Sequence, residues 1–418
     1  MCDGDFKARP VRRGCAGPLV RDVTRVTGAA HPDYDGTPMA TKILCVAGAR
    51  PNFMKIAPLL RAFRARPDVF DAKLVHTGQH YDAKLSKIFF EDLKIPRPDL
   101  ELEVGSGSHA QQTAEIMRRF EPVLIEQQPQ AVLVVGDVNS TTACAVVTAK
   151  HFLPAPFRYR GGERKRPLMI HVEAGLRSFD DDMPEEINRK LTDSISDLLY
   201  VSDPAGMENL RREGVTDERA IFVGNVMIDT LIAAKAQAMA SGVLGELGLT
   251  DKGYALVTLH RPSNVDDPKA LAALLSTLDE IGVAKSLKLV FPVHPRTRQR
   301  LKDAGLTPDP SRWTLCDPLG YLDFMRLQAS ARVVLTDSGG VQEETTVLGV
   351  PCVTLRENTE RPCTITEGTN LLAGTERGAI LRATEQALAM KPGGRVPRFW
   401  DGKSAERIAD HLAGVLSQ

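Results

Sequence analysis

MIHVEAGLRSFDDDMPEEINRKLTDSISDLLYVSD, residues 169–203, spells out a strand, a turn and a helix, and no other segment sets so many ionisable side chains between two apolar runs. The run LMIHV, residues 168–172, reads as a short buried strand. Behind it the turn carries Glu173, Gly175 and Arg177 before an aspartate-rich loop, so a carboxylate stands at a strand exit, where α/β sheets form their clefts. Pro184 then opens a helix in which Ile187, Leu191, Ile195 and Leu198 recur at helical spacing. Glu185 and Arg189 are four apart and share one face of it. A carboxylate favoured by the helix dipole plus one surface ion pair is the plainer account of that pair, and the rest of the chain must decide between the two.

The same unit recurs outward in both directions. TKILCVA, residues 41–47, breaks at GARP before a helix beginning near Phe53, which places Arg50 and Lys55 beside free helix N–H groups suited to an anion. AKLVH, residues 72–76, ends in TGQHYD, and an amphipathic helix follows through Leu85, Ile88, Phe89 and Leu93. GSGSH, residues 105–109, is a flexible loop, lid or linker, before a helix over about 110–127. AVLVVG, residues 131–136, delivers Asp137 into a turn whose Asn139 and Ser140 can cap the next helix. Residues 154–167 are basic and rich in Pro and Gly, which reads as a surface loop.

Past residue 222 the alternation starts afresh. YALVTL ends at HRPSN (260–264), KLVFPV at HPR (294–296) and RVVLT at DSGG (337–340). Two successive series of this kind predict an α/β protein of two doubly wound Rossmann-like domains facing a cleft. The expected division is a poorly ordered extension over 1–40, a first domain over 41–222 with the acids, and a second over 223–399 with the anion site. The last helix, within 400–418, has no strand partner and is expected to pack back on the first domain.

Composition narrows the function. At 418 residues the chain exceeds one ordinary core, and its 43% hydrophobic and 25% charged content is that of a soluble globular protein. No run approaches the roughly 18 apolar residues of a membrane span. Lys plus Arg and Asp plus Glu both number 53, so there is no global positive field for nucleic acid. Seven scattered cysteines without CxxC, and no HExxH, argue against a disulfide framework and against a metal, and fit a reducing cytoplasm.

DSGGVQEE, residues 337–344, is the phosphate candidate. Gly339 and Gly340 let the backbone approach an oxyanion, Ser338 can cap, and the following helix points its free N–H groups outward. Each such interaction contributes only about 0.3 to 1 kcal/mol when exposed, so a diphosphate needs further cations. Arg361, in NTERP, is one, and Glu344 lies far enough down the helix to accept from a ribose hydroxyl. His260, beside Arg261 at a strand exit, is compatible with a catalytic or a structural role, as are His171 and His294. A diphosphate site in one domain and the carboxylates Asp137, Glu173 and Glu185 in the other make the division of labour a nucleotide-sugar enzyme needs.

With these residues in view, the chain resembles the non-hydrolysing UDP-N-acetylglucosamine 2-epimerases from about residue 42 onward. GARPNFMK, GQH, GDVNST, HVEAGLRS, MPEEINR, DSGGVQEE and TERP occur in that family's order and at its approximate spacing. The resemblance implies a glycosyltransferase-B-like fold, a homodimer, and interconversion of UDP-GlcNAc and UDP-ManNAc without NAD or metal. It makes Asp137, Glu173, Glu185 and His260 the acid/base and leaving-group residues. Arg50, Lys55, Phe324, Ser338, Gly339, Gly340, Glu344 and Arg361 would line the UDP-sugar site, and Arg189 would support Glu185. Gln79 and His80 become candidates for activation by the substrate at a neighbouring site. The chain departs from the family at Ser263, where many relatives carry a glutamate near the His-Arg pair. Rival expectations are a 2-epimerase of a related UDP-sugar such as a 2,3-diacetamido uronate, a glycosyltransferase of the same fold, a hydrolysing epimerase and a non-catalytic sensor.

Overall fold

The strand runs found in the sequence pair as two all-parallel sheets in a computed structural model, which describes residues 40–79, 95–390 and 396–416. The first sheet contains β1 (Thr41–Ala47), β2 (Phe70–His76), β3 (Leu100–Glu101), β4 (Ala131–Val135), β7 (Leu168–Ala174), β8 (Leu198–Val201) and β9 (Ala220–Phe222). Their spatial order is β3-β2-β1-β4-β7-β8-β9. The second sheet contains β10 (Tyr254–Thr258), β11 (Lys288–Pro292), β12 (Trp313–Cys316), β13 (Val333–Thr336), β14 (Cys352–Thr354) and β15 (Asn370–Leu372), in the order β12-β11-β10-β13-β14-β15. Central strands such as β4 and β13 are buried along their whole length, which is why they read as unbroken Val/Leu runs.

Both sheets reverse direction beside their first strand, between β1 and β4 and between β10 and β13. At such switch points the loops leaving the strands diverge and open a crevice. The loops there carry Gly48 and Gly136–Asp137 in the first sheet, and His260 and Asp337–Gly340 in the second. The topology alone therefore collects the suspected residues.

The largest core cluster joins the helix Arg50–Arg64 to the helix Val226–Met239 and to the helix Ser404–Leu416. Thr230 Oγ1 donates to the Met54 carbonyl at 2.6 Å, so the helix just past residue 222 is packed against the first sheet's layer. In the last helix Ile408, Ala409 and Leu412 are fully buried in that cluster. Arg66 pairs with Asp410 at 2.5 Å, and Tyr200 Oη meets His411 Nδ1 at 3.0 Å.

Three local expectations change. Residues 154–167 are not an irregular loop: β5 (Phe157–Tyr159) and β6 (Gly162–Arg164) pair antiparallel. Arg160 and Gly161 between them both have positive φ, which matches the twist of a two-residue hairpin turn. The helix from 184 is Pro184–Ile195, but Ile187 and Leu191 are 44% and 49% exposed, while Glu186, Arg189, Thr192 and Asp193 are buried. Asn139 and Ser140 lie inside the helix Asn139–Lys150, whose start has no side-chain cap. Ser108 does cap the helix His109–Gln127, exchanging hydrogen bonds with Gln111. The helix expected through Leu85 to Leu93, and His80, lie outside the described residues, as does the side chain of Arg50.

Candidate active site

Glu173, the last residue but one of β7, has φ +72°, a left-handed conformation that a residue with a side chain adopts only where its surroundings enforce it. Enforcement comes from a buried network behind the turn. Asp193 accepts from the Gly175 N–H at 3.0 Å and pairs with Arg177 at 2.8 Å, and its other oxygen lies 2.6 Å from His171 Nδ1. His171 Nε2 donates to the Gly136 carbonyl at 2.8 Å, so the exits of β4 and β7 are tied together.

So held, the Glu173 carboxylate stands between two cations. One oxygen accepts from Lys55 of the helix Arg50–Arg64, and the other from Arg361 Nη2 at 2.8 Å, 188 residues further along the chain. Burial by itself would push this acid up, but Lys55 and Arg361 on either side bring it below its ordinary value. The close approach needs Gly136, with φ +67°: a Cβ there would lie 3.0 Å from Lys55 Nζ and 3.3 Å from Glu173 Oε2.

Asp137, next to that glycine, keeps 28% of its side chain exposed, and its Oδ2 accepts from Arg189 Nη1 at 2.5 Å. Arg189 does not support Glu185 as expected. Its partner on the helix is Glu186, three residues away, at 2.7 Å. Glu186 also accepts from the Ser178 N–H and hydroxyl and from the Phe179 N–H. Burial opposes ionisation of Glu186, and the Ser178 N–H and Arg189 outweigh it, leaving the acid below its usual range. Glu185 is half-buried one position earlier and makes none of these contacts.

The second sheet contributes the anion site. Ser338 occupies the N-cap position of the helix Gly339–Leu348, but its side chain makes no capping bond. Its N–H is turned to Thr336 Oγ1 at 3.0 Å. A Cβ on Gly339 would lie 2.9 Å from Glu360 Oε1 and 3.9 Å from Arg361 Cζ, so the glycine turn and Arg361 share one space. Asp337, fully buried, accepts the backbone N–H of His260 and of Arg261 at 2.9 Å each, and His260 Nδ1 at 2.7 Å. Burial alone would raise Asp337; its bonds to His260 lower it. The His260 ring, half-exposed, is thereby fixed beside the turn. Ser263 is exposed in the short helix Pro262–Val265.

Not every expected residue joins this seam. Glu344 is turned away, accepting from Gln328 Nε2 at 2.6 Å and from Tyr321, and burial pushes it up to about 7. Phe324 is half-buried against the cluster containing Val341. Gln79 is buried, its Oε1 accepting from the Ser140 N–H and hydroxyl. Glu186, Glu343, Glu360 and Asp193 were not singled out from sequence, and His171 and Arg177 were noted there without the aspartate that joins them. One signal was available: 186, 189 and 193 share a helical face, which a polar reading of that helix exposes. Among the described residues no three His, Cys, Asp or Glu side chains converge as a metal site.

A family model described as UDP-N-acetylglucosamine 2-epimerase matches residues 61–413. The UDP-N-acetylglucosamine 2-epimerase of Methanocaldococcus jannaschii is 39% identical over 373 residues, 88% of this chain and 97% of that protein. Its crystal structure in complex with UDP-GlcNAc and UDP superposes with a TM-score of 0.80 at 38% identity, covering 90% of this chain and 100% of that one. The UDP-2,3-diacetamido-2,3-dideoxy-D-glucuronate 2-epimerase of Pseudomonas aeruginosa is 38% identical over 375 residues, 89% of this chain and 99% of that protein.

Proposed function

This chain belongs to the UDP-N-acetylglucosamine 2-epimerase family, and from that premise we propose that it interconverts UDP-GlcNAc and UDP-ManNAc by eliminating and re-adding UDP. The reading is carried by one observation: Glu173, an ionised acid of the first sheet, is clamped against Arg361, the cation beside the second sheet's glycine turn.

The hydrogen on C2 of a hexosamine is not next to a carbonyl, so its direct removal by a carboxylate is prohibitively uphill. Departure of UDP changes that. The C1–O bond breaks with its electron pair going to the diphosphate, where the helix N-terminus at Gly339 and Arg361 stabilise the growing charge. The C2 proton passes to a carboxylate and a C1–C2 double bond forms. Return of a proton to the other face of C2, with diphosphate oxygen re-attacking C1, inverts the centre. Acids on both faces are required, and Asp137, Glu173, Glu185 and His260 are the groups assigned to this work. Arg189 positions Asp137, while Lys55 and Arg361 keep Glu173 ionised. Electrons return to where they began, so the cycle needs no redox cofactor.

The protein is proposed to work as a homodimer in the cytoplasm. Ile125, Phe152, Ile187 and Leu191 are all exposed on or beside three adjacent helices that cover one face of the first sheet. Apolar side chains gathered in this way are what a second copy would cover.

Incubation with UDP-GlcNAc in heavy water, followed by proton NMR, tests the chemistry. Deuterium at C2 with UDP-ManNAc retained is expected; free sugar would indicate hydrolysis, and no exchange with this substrate but exchange with the 2,3-diacetamido uronate would reassign the sugar. Asp137→Asn and Glu173→Gln should each lower turnover by about 100- to 10,000-fold with UDP still bound. Wild-type rates in either variant would remove that residue from the mechanism.

A further inference from the structure

Arg361 is the cation nearest the glycine turn, yet without a nucleotide it is already surrounded by acids. Glu173 lies at 2.8 Å, Glu343 Oε1 at 2.5 Å from its Nε, and Glu360 at 3.9 Å. Two of these have cations of their own. Glu173 is shared with Lys55, and Glu360 with Arg356 at 2.9 Å and Arg261 at 3.6 Å. Glu343 is different: its side chain is 1% exposed, and among the described residues it pairs with Arg361 alone and neither of its oxygens accepts a well-formed hydrogen bond.

The helix places it there for a geometric reason. Gly339 and Glu343 are four apart, hence on one face, so Arg361 lies along the first turn with the anion-binding N-terminus at one end and the Glu343 carboxylate at the other. A diphosphate at Gly339 and an ionised Glu343 would compete for the same guanidinium. Arg361 Nη1 is buried and has no hydrogen-bond partner among the described residues.

Resting on the nucleotide-sugar reading above, we propose that Glu343 takes up a proton from solvent when a nucleotide diphosphate binds, and so releases Arg361 to the phosphates. One O–H bond forms on the carboxyl, one ion pair is lost, and the guanidinium's charge turns to the incoming anion. The groups facing Glu343 agree with this. Burial pushes it up to about 7, Arg361 and Lys55 oppose the rise, and Glu173 and Asp203 assist it. Added phosphate charge acts in the same direction as Glu173. The neutral acid would also leave Arg361 fully charged as UDP departs, when the leaving group gains its extra negative charge.

Calorimetric titration of UDP into the wild type and into Glu343→Gln, at pH 8 in HEPES and in Tris, counts the protons taken up. UDP's own proton is common to both proteins, so the difference isolates Glu343. The wild type should take up most of one proton more than the variant, and its UDP dissociation constant relative to the variant's should rise about fivefold between pH 7 and 8. A merely structural role would not move the proton count. Equal uptake in the two proteins, or no new protonated-carboxyl band in the wild type's infrared difference spectrum on UDP binding, overturns the proposal. Failure of UDP to bind the wild type at all would overturn the nucleotide-sugar reading instead.

Discussion

Two buried glutamate–arginine pairs flank the cleft, Glu186 with Arg189 in the first half and Glu343 with Arg361 in the second, and they ionise in opposite senses. Glu186 and Glu343 are 0% and 1% exposed and stand 2.7 and 2.5 Å from their arginines. Glu186 lies below its ordinary range, while Glu343 is pushed up to about 7. Two things differ: Glu343 lies deeper in the protein, and the two acids are hydrogen-bonded differently. Ser178 and Phe179 give Glu186 two backbone N–H groups and a hydroxyl. Glu343 receives none among the described residues and has Glu173 and Asp203 near it. A buried carboxylate with its lone pairs filled remains a fixed charge, whereas an unfilled one trades its charge for a proton. The first pair suits a scaffold that holds Asp137 still, and the second suits a site whose ligand brings charge and takes it away.

The sharpest way to break this comparison is Glu186→Ala. It leaves Arg189 buried without its carboxylate and orphans the Ser178 and Phe179 N–H groups, for an expected loss of about 3 to 5 kcal/mol in urea denaturation. A loss below about 1 kcal/mol would dissolve the distinction. Because the folded acid lies below its unfolded value, its contribution is present above about pH 4.3 and is lost as pH falls through the folded value. The variant should therefore show a shallower fall in stability between pH 5 and 3.

A smaller effect, of opposite sign, is expected at Glu344. Its folded value of about 7 lies above the unfolded one, so the folded state binds a proton that the unfolded chain has released. Stability thus declines as pH rises from about 4.3 to 7, and the full penalty of about 3 kcal/mol is present above that window. Glu344→Gln should be more stable than the wild type at pH 8 and equal to it at pH 4. An unchanged pH slope would show that Gln328 and Tyr321 satisfy the ionised form.

Leu191→Glu sharpens the contrast between the two faces of one helix. The buried face carries the ions, so a charge on the exposed apolar face should change monomer stability by no more than about 0.5 kcal/mol. Light scattering after gel filtration should nevertheless show loss of the proposed dimer; a variant that stays dimeric would place the interface elsewhere.

Much of the site was legible at the level of strand exits. Asp137, Glu173, His260 and Ser338 were found because a buried strand followed by a polar turn is a local pattern, and the switch points then gather such turns. The choice between Glu185 and Glu186 was not legible. Adjacent helical residues point about 100° apart, and the regular spacing of Ile187, Leu191 and Ile195 suggested that the apolar face was buried. In the folded chain Ile187 and Leu191 are solvent-exposed, Ile195 is half-buried, and the Glu186–Arg189–Asp193 face lies against the site. The hairpin at residues 157–164 escaped for a related reason: Pro and Gly signalled only a break, while pairing required two positive-φ residues in succession.

By itself the sequence determined two parallel sheets, the glycine turn at the head of a helix, and the acids that stand at strand exits. These follow from periodicity and backbone sterics within a dozen residues. Only the tertiary structure decided which acid meets which cation: Glu173 with Lys55 and Arg361, Arg189 with Glu186, and Glu343 with an arginine and no N–H group. Charge state depends on burial and on partners up to 188 residues away, and those are properties of packing that no local pattern encodes.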